Sequence, residues 1–470
     1  MHAIANSQQA ATSDVAYYCP DCEGAALTPN LAAQQRFWRC GSCLAEYPEY
    51  SVAGRAIPWL FPKPTQAHVS WQQRLLSCER GIDTVLTQLT NALQKAELMP
   101  LTQQRLTRFY QGNQQLREAL HQYLAPLQLA AADSAQCTQP WSDVLPQAQG
   151  LLSYRNNLFR DWSWDNGEAA AMLDAVNQIL CQDSRRELGR TLTLGAGSGR
   201  LSFDLHQQHH PECSVLLDLN PLLTALAANI VAGEDVSMPE FPIAPSHSDN
   251  VCCLQPCKLP QGQSPANERL QFVLGDATAP PFAAESFDTV ITPWLLDILP
   301  LPLPRFLPVI NELLPLGGRW VNTGSLAFSS EQHCNAFCPD EVEALLSDAG
   351  FELQSFEQQT QQYLHSPLSA HGRTEQVYSF CALKAKPARR GSRRRQSDRP
   401  RWLTEPSTPI PIDPTFEIAS AQHLLNAQVL GAIDGQRSLD ELAELLGRKY
   451  QLSKGEAQAA IETILLTRQL

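Results

Sequence analysis

Two patterns of apolar and polar positions divide the middle of the chain. Residues 65–150 are rich in Gln and Leu, and their apolar positions recur at helical spacing, which predicts a helical subdomain. Over residues 151–387, short apolar runs alternate with helical patterns. This alternation predicts an α/β domain with a doubly wound, mostly parallel sheet. Such sheets bind their ligands at the carboxyl ends of the strands.

The alternating region contains seven predicted strands. They span Thr191–Leu194, Ser214–Asp218, Leu270–Gly275, Phe287–Thr292, Arg319–Thr323, Glu352–Phe356 and Gln376–Leu383. The first strand leads into LGAGSGR, a turn in which Gly195, Gly197 and Gly199 allow the backbone to approach a ligand closely. We therefore expect a ligand at this turn.

Three kinds of ligand bind glycine-rich turns: a nicotinamide dinucleotide, a nucleoside triphosphate and S-adenosylmethionine. The dinucleotide fingerprint requires glycine at its sixth position, where this chain has Arg200. The nucleoside triphosphate loop requires G-x-x-x-x-G-K-[ST], which the sequence lacks. The turn, including Arg200, therefore favours S-adenosylmethionine.

Two acidic residues support this ligand. Asp218 ends the second predicted strand, where a carboxylate can accept hydrogen bonds from both ribose hydroxyls. Asp276 and Ala277 follow the third strand, and the Asp276 carboxylate can accept a hydrogen bond from an adenine amino group. The glycine turn and the two acids, in this order, resemble the class I S-adenosylmethionine-dependent methyltransferases. An inert domain of the same Rossmann-like fold is the alternative.

Four further stretches narrow the resemblance. LFRDWSWDNGE precedes the first strand, FDTVITPWLLDIL and LLPLGGRWVNTGSLAF contain the fourth and fifth strands, and CPDEVEALLSDAGFE follows them. Over roughly residues 150–386 they resemble the carnosine N-methyltransferase family, which methylates an imidazole nitrogen of a histidine-containing dipeptide. The resemblance implies that Arg160 binds the cofactor, as does Asn157 at the position of the family's glutamine.

The resemblance also implies an acceptor site. The family's substrate aspartate falls on Asp297, and Trp294 occupies the aromatic position three residues earlier. A carboxylate there would accept a hydrogen bond from the protonated imidazole nitrogen and turn the other nitrogen toward the methyl group. A helix cap is the alternative role for Asp297.

Two departures from the family concern the acceptor. The family's histidine beyond the fifth strand is Ser329 here, and HGRTEQV replaces the tyrosines before the last strand, which introduces His371, Arg373 and Glu375. Arg373 and Glu375 would clamp the carboxylate and amine of an amino-acid-like substrate, or they form only an exposed ion pair on a loop. We expect the acceptor to be a histidine derivative, either a small compound such as a thiohistidine or a histidine in a peptide.

A cysteine pattern precedes the helical subdomain. Cys19 and Cys22 form one C-x-x-C, Cys40 and Cys43 form another, and 17 residues separate the two pairs. Four thiolates in this spacing predict a closed, structural Zn²⁺ site, whereas a single redox pair is the alternative. Residues 15–63 resemble the zinc-ribbon proteins that activate methyltransferases, and related ribbons fused to methyltransferase domains.

The C-terminal part of the chain has two different patterns. Residues 388–407 contain an Arg-rich strip, and we interpret this segment as a solvated linker. Residues 408–470 are α-rich, and LGAIDGQRSLDEL resembles the PqqD-like domains, small winged-helix folds that hold leader peptides near modifying enzymes. Capping-box patterns begin at Ser438 and Ser453. A leader peptide is therefore a candidate partner, and packing or dimerisation is the alternative role.

Charge and composition exclude some function classes. The strip from Arg389 to Arg401 carries a charge of +6, so the rest carries −19 within the total of −13. Such an acidic body argues against a nucleic-acid partner and against an RNA methyltransferase. A membrane span and a secretory signal are not expected either, which predicts a cytoplasmic protein with reduced cysteines. A non-catalytic regulator that binds a peptide or RNA is the remaining alternative.

Overall fold

The chain forms two compact units, Met1–Arg394 and Arg395–Leu470. The computed structural model describes residues 15–22, 25–32, 35–95, 97–129, 149–182, 187–328, 333–388, 407, 409, 415–434 and 436–466. Ser329 and most of the predicted linker, residues 388–407, lie outside the described residues. The division into five predicted segments stays a prediction.

Strands and helices alternate through the larger unit. The strands are β1 (Leu27–Ala32), β2 (Gln35–Cys40), β3 (Glu46–Val52), β4 (Arg55–Pro58), β5 (Arg190–Leu194), β6 (Cys213–Asp218), β7 (Val236–Glu240), β8 (Cys253–Cys257), β9 (Leu270–Leu274), β10 (Thr289–Pro293), β11 (Arg319–Gly324), β12 (Phe351–Tyr363) and β13 (Arg373–Lys384). Its helices are α1 (Pro64–Leu93), α2 (Pro100–Leu124), α3 (Arg155–Trp162), α4 (Glu168–Gln182), α5 (Arg200–His209), α6 (Pro221–Val231), α7 (Leu303–Leu313) and α8 (Pro339–Asp348).

The strands of the alternating region form one seven-stranded sheet. Its order is β12-β13-β11-β10-β5-β6-β9. Six strands, β12 among them, run in one direction, and β13 is antiparallel to both of its neighbours. This confirms the α/β prediction and is consistent with a Rossmann-like methyltransferase fold. Because the chain reverses its direction of winding at β5, a crevice for a ligand is expected where β5 ends.

All seven predicted strands are present, but the last two are much longer than predicted. β12 has 13 residues and β13 has 12. The added residues of β12 are mostly Gln and Thr, exposed or half-buried and without an apolar alternation, so no strand is predicted there from the sequence. One consequence concerns Arg373 and Glu375, which lie in β13 and not in a loop as predicted.

The central strands and the helix α6 consist mainly of residues that are buried in the core. β5 and β6 are apolar runs buried along almost their whole length, as expected for parallel strands covered by helices on both faces. Helix α6 is buried at ten of its eleven positions. Its N-cap, Asn220, accepts hydrogen bonds from the backbone of Leu222 at 2.9 Å and Leu223 at 3.3 Å, which fixes where the helix begins after β6.

The N-terminal segment joins the edge of the large sheet. Strands β1 to β4 form an antiparallel sheet, and the chain after β4 continues beside β9. There the Leu60 amide donates a hydrogen bond to the Leu274 carbonyl at 2.8 Å. Arg55 donates to the Leu270 carbonyl at 3.0 Å from the same side. Edge strand β9 is therefore covered by the chain itself, which protects its unpaired backbone groups.

The smaller unit has three described helices, α9 (Thr415–Ala432), α10 (Leu439–Tyr450) and α11 (Lys454–Leu466). Both predicted capping boxes form: the backbone amides of Ser438 and Ser453 each donate at 2.8 Å to the glutamate three residues later. No strand occurs among the described residues of this unit, so the winged-helix resemblance stays a prediction. None of the helices described in either unit is long and apolar enough to cross a membrane.

Candidate active site

A cavity of about 360 Å³ lies at the carboxyl ends of the central strands. This volume is within the range of about 300–1,000 Å³ that small-molecule sites occupy. Eleven residues named from the sequence line it: Asn157, Arg160, Gly195, Gly197, Asp218, Asp276, Ala277, Trp294, Asp297, Arg373 and Glu375. Residues from distant parts of the chain thus meet around one space.

The glycine turn needs its glycines for two different reasons. Gly195 and Gly197 have φ of 67° and 57°, in the left-handed region that favours glycine. A Cβ at Gly197 would meet no atom within 4 Å, so this backbone borders open space that a ligand can fill. A Cβ at Gly199 would lie 3.1 Å from Leu216 Cδ2. Gly199 therefore serves the packing of α5 and does not line the cavity.

The Asp218 carboxylate is fixed by the turn beside it. It accepts backbone hydrogen bonds from Gly197 and Asn220, both at 2.7 Å. Burial raises the pKa of Asp218 to about 6, although these hydrogen bonds oppose the rise. At neutral pH the group is therefore mostly ionised, and it can accept further hydrogen bonds from hydroxyls in the cavity.

Two other polar groups fit a nucleoside in this cavity. Asp276 is buried and accepts hydrogen bonds from the Thr278 amide at 2.8 Å and the Thr278 hydroxyl at 2.7 Å. Asn157 Oδ1 is buried without a hydrogen-bond partner. A buried oxygen without a partner is costly unless a ligand satisfies it. This oxygen, together with the open space at Gly197, fits the predicted S-adenosylmethionine.

Arg160 is held in place by its neighbour. Its Nε donates to the Asp161 carboxylate at 2.6 Å, and Asp161 also accepts a hydrogen bond from the Ser198 hydroxyl in the glycine turn. Burial alone would lower the pKa of the Arg160 guanidinium, but the charge of Asp161 raises it above its ordinary value. Arg160 therefore lines the cavity as a cation in a fixed position.

Besides Gly199, two further residues expected in the site, Arg200 and His371, lie outside the cavity lining. The Arg200 Nε donates to Asp204 at 2.7 Å, and its guanidinium lies 5.2 Å from the Trp162 ring centroid. Arg200 therefore pairs within its own helix and does not line the cavity. His371 is exposed, and its backbone amide donates to the Ser369 hydroxyl at 2.9 Å.

The side of the cavity that contains Trp294 and Asp297 is formed where β10 ends. Asp297 lies in the short 3-10 helix Leu296–Ile298, and burial raises the pKa of its carboxyl to about 6, opposed in part by a hydrogen bond from Ser325. Trp294 has a φ of 49°, an unusual conformation for a large residue. Gly324 makes it feasible, because a Cβ there would lie 2.8 Å from the Trp294 backbone.

Sequence reasoning missed two tyrosines of this cavity, Tyr154 and Tyr363. The Tyr363 ring centroid lies 4.3 Å from that of Trp294, and the Arg373 guanidinium lies 4.5 Å from the Tyr363 centroid. Arg373 also pairs with Glu375 at 3.2 Å. Tyr363 is the last residue of β12, in the part of the strand that was not predicted because its Gln-rich sequence has no apolar alternation. Tyr363 could have been found from the sequence, because it lies a short distance before HGRTEQV, a segment that was already a candidate for substrate binding.

The four predicted cysteine ligands also come together. The sulfur atoms of Cys19, Cys22, Cys40 and Cys43 all lie within 4.8 Å of one another, which makes them able to hold a metal ion. Among the described residues no other group of His, Cys, Asp or Glu has this arrangement. The amides of Ser42 and Cys43 donate to Cys40 Sγ at 3.3 and 3.5 Å, so the backbone prepares this sulfur for a negative charge.

One histidine of α5, the helix that follows the glycine turn, is a core residue and not part of a cavity. His206 is buried, with Nδ1 2.9 Å from the Ser214 hydroxyl and Nε2 3.1 Å from Asn267 Oδ1. Burial lowers the pKa of His206. The residue is therefore a neutral core group that connects α5 to the sheet.

Comparison with known proteins identifies the family. The family model for carnosine N-methyltransferase matches residues 147–385, about half of the chain. The chain belongs to this family. It is therefore a methyltransferase, and the cavity at the glycine turn is the candidate site for S-adenosylmethionine. No curated protein matches the chain.

Several solved structures are similar to part of this chain. A SAM-dependent methyltransferase of Methanosarcina mazei is 16% identical, covering 44% of this chain and 96% of its own, with a TM-score of 0.31. Phosphoethanolamine N-methyltransferase 2 of Haemonchus contortus in complex with S-adenosyl-L-methionine is 14% identical, covering 50% of this chain and 57% of its own, with a TM-score of 0.31.

Proposed function

We propose that the protein methylates an imidazole nitrogen of a histidine derivative. The observation that carries this proposal is the position of Asp297, a half-buried carboxyl that lines the same cavity as Asp218 and Gly197. An acceptor bound to Asp297 would therefore share one enclosed space with the cofactor. The family match supports the reaction class.

The residues of the cavity suggest how the transfer is promoted. Bound S-adenosylmethionine would supply an electrophilic methyl group, held by Asp218 at the ribose, Asp276 at the adenine and the backbone at Gly197. Asp297 accepts a hydrogen bond from the protonated ring nitrogen, so the unprotonated nitrogen faces the methyl group. Its charge also stabilises the positive charge that develops on the ring. The main task of the protein is to hold both reactants in line at close approach.

The mouth of the cavity supports an amino-acid-like acceptor. Arg373 and Glu375 form an ion pair at 3.2 Å, and both line the cavity. A guanidinium and a carboxylate side by side complement the carboxylate and ammonium of an α-amino acid. We therefore favour a small compound such as a thiohistidine over a histidine inside a peptide, whose backbone carries neither charge.

The experiment that tests the acceptor is a screen with mass spectrometry. The full chain is incubated with S-adenosylmethionine and with histidine, thiol-substituted histidines, histidine dipeptides and histidine-containing peptides, and the methyl group is localised in each product. A methyl group on an imidazole nitrogen is expected. If S-adenosylhomocysteine binds in calorimetry but no imidazole is methylated, the proposed acceptor is wrong.

The role of Asp297 is tested by Asp297→Asn. Loss of the charge is expected to lower turnover of the imidazole acceptor at pH 7.5 by about 10²-fold or more, as is typical for groups that handle a proton. The affinity for S-adenosylhomocysteine should stay within about twofold, because Asp218 and Asp276 are unchanged. The exposed Asp235→Asn is the control for the charge change. Turnover equal to that of the control would refute the role of Asp297.

Two accessory roles complete the proposal. The four-cysteine cluster is proposed to hold a structural Zn²⁺, because four protein sulfurs leave no position for a substrate. The smaller unit is proposed to be PqqD-like, supported by its two capping boxes and its three helices. If it binds a leader peptide, the acceptor would be a histidine of that peptide, which is the second candidate function.

A further inference from the structure

A buried carboxylate outside the cavity holds the wall on which the acceptor would lie. Glu168 is the first residue of α4, and its side chain is only 7% exposed. Its Oε2 accepts a hydrogen bond from the Leu364 amide at 2.7 Å, and its Oε1 accepts one from the His365 amide at 2.8 Å. These two consecutive amides directly follow Tyr363.

The backbone after Tyr363 is shaped to bind this carboxylate. Leu364 has a φ of 51°, in the left-handed region that few non-glycine residues adopt. Consecutive amides next to a left-handed residue can point to the same side and form a concave anion site. Here the anion is the Glu168 side chain of the same protein. Its two charge-assisted hydrogen bonds offset the cost of the unusual conformation.

Asn166 binds both Glu168 and the turn after Tyr363. Its Nδ2 donates to Glu168 Oε1 at 2.7 Å and to the His365 carbonyl at 2.9 Å. Further along, the Ser366 hydroxyl donates to the buried Glu240 carboxylate. The connection between β12 and β13 is therefore anchored by two buried acids, at positions that neither contact the cavity nor belong to the predicted site.

The anchored turn sets the position of the acceptor wall. Tyr363 ends β12 and pairs with Arg373 of β13 in register. Its ring lies between Trp294, at 4.3 Å between centroids, and the Arg373 guanidinium, at 4.5 Å. A shift of the turn would move Tyr363, and with it the packing of Trp294 and Arg373. The glycine turn and Asp218 lie on other elements and would not follow.

We infer that Glu168 is a positioning residue that fixes Tyr363 and the Arg373 side of the acceptor cavity. The identity of the acceptor rests on the proposed function. The hydrogen bonds from the Leu364 and His365 amides to Glu168, called the Glu168 clamp below, do not depend on it. Glu168 acts through the turn at Leu364 and His365 and touches neither reactant. It should therefore affect the acceptor side of the reaction and leave the cofactor side unchanged.

Hydrogen exchange tests the clamp without any acceptor. In Glu168→Gln the side chain keeps one oxygen acceptor and places an amide group toward a backbone N–H. Exchange at the Leu364 and His365 amides should become at least about tenfold faster, which corresponds to about 1.4 kcal/mol. The control is Glu352→Gln, an exposed residue of β12, the strand that precedes the Leu364 and His365 amides. Exchange at these amides equal to that of the control would overturn the inference.

Kinetics separate a positioning role from a general loss of structure. With the imidazole acceptor, Glu168→Gln should raise the acceptor KM about tenfold, while the affinity for S-adenosylhomocysteine stays within about twofold. An equal loss on both sides would overturn the inference. Asn166→Ala, a milder change of the same clamp, should move the acceptor KM in the same direction if Glu168→Gln folds poorly. If the wild-type protein methylates no imidazole, the proposed function fails, whereas the exchange experiment still decides the clamp.

Discussion

Two carboxyls of the cavity, Asp218 and Asp297, have the same raised pKa of about 6 for the same reason. Both are desolvated by burial at the ends of central strands, and hydrogen bonds only partly compensate. Their proposed roles differ because of their neighbours: Asp218 is bound to the backbone of Gly197, whereas Asp297 accepts a hydrogen bond from Ser325 and lies near the charge of Glu375. Acidification should therefore affect both cofactor binding and catalysis.

The pH dependence of cofactor binding follows from Asp218. As the pH falls through about 6, the carboxylate becomes protonated and loses its charge-assisted hydrogen bonds to ligand hydroxyls. Between pH 7.5 and 5.5 the Kd for S-adenosylhomocysteine should rise about fourfold if only the ionised form binds. Calorimetry over this range measures the change.

A variant of the same group provides the control. Asp218→Asn should weaken binding about ten- to a hundredfold at pH 7.5, because hydrogen bonds to charged groups contribute about 1.5–3 kcal/mol. It should also remove the fourfold pH effect, whereas Asp235→Asn should retain it. A pH effect that persists in Asp218→Asn would assign the titration to another group.

The ends of β10 and β11 illustrate how elements position the acceptor side. Trp294 follows β10 in a left-handed conformation, and its amide donates to the Thr323 carbonyl of β11 at 2.8 Å. Gly324, with a φ of 156°, leaves room for this backbone. The contact between two strand ends, and not a single side chain, therefore determines where Trp294 and the following Asp297 lie.

This contact predicts the effect of Gly324→Ala. The new Cβ would lie 2.8 Å from the Trp294 amide nitrogen, so backbone must move. Gly262→Ala is the matched control, because Gly262 also has a positive φ, 83°, but no atom within 4 Å of its Cβ position. Gly324→Ala should lower the Tm by about 2–6 °C more than the control, as expected for overpacking of about 1–3 kcal/mol. Equal Tm values in calorimetry would show that the strand ends adjust freely.

At the scale of the whole molecule, the N-terminal sheet of β1 to β4, which carries the four-cysteine cluster, packs within the larger unit. Tyr17, Cys40 and Tyr47 belong to the same apolar cluster as residues of the central sheet, such as Leu194 and Val273. The Leu60 amide binds β9 just before Gly275 and Asp276. The cysteine cluster and the cofactor cavity thus depend on one continuous core.

Removal of a cysteine from the four-cysteine cluster, the proposed zinc site, should therefore destabilise the methyltransferase core. Cys40→Ser is expected to reduce the bound zinc and to lower the Tm of the larger unit, with the exposed Cys181→Ser as the control. Calorimetry and elemental analysis measure the two effects together. A normal Tm despite loss of zinc would show that the sheet packs without the metal.

The smaller unit has a core of its own, formed by residues such as Val429, Leu442 and Ile461. We therefore expect a chain that ends at Arg394 to fold and to methylate small imidazole compounds at a rate close to that of the full chain. Product formation, followed by mass spectrometry, checks this. Activity that requires residues 408–470 together with a peptide would favour the leader-peptide function instead.

The fold was largely predictable because the central strands carry strong local signals. β5, β6 and β10 are apolar runs between glycines and acids, and their order in the chain specifies an α/β sheet. The extension of β12 was not predictable, because its Gln-rich residues pair with β13 without burying an apolar face. Tyr363 was missed for that reason. The contact between Arg200 and Asp204 was not predicted either, because the spacing of glycines in the turn carries no information about the partner of the next side chain.

The sequence by itself determined the family, the glycine turn with its two acids, and the four-cysteine pattern. These are encoded by residue types at short or ordered spacings, which need no knowledge of distant contacts. Only the tertiary structure decided that Tyr154 and Tyr363 line the cavity and that Glu168 binds the backbone directly after Tyr363. The reason is physical: these positions depend on the register of β12 with β13 and on hydrogen bonds between residues about 200 positions apart.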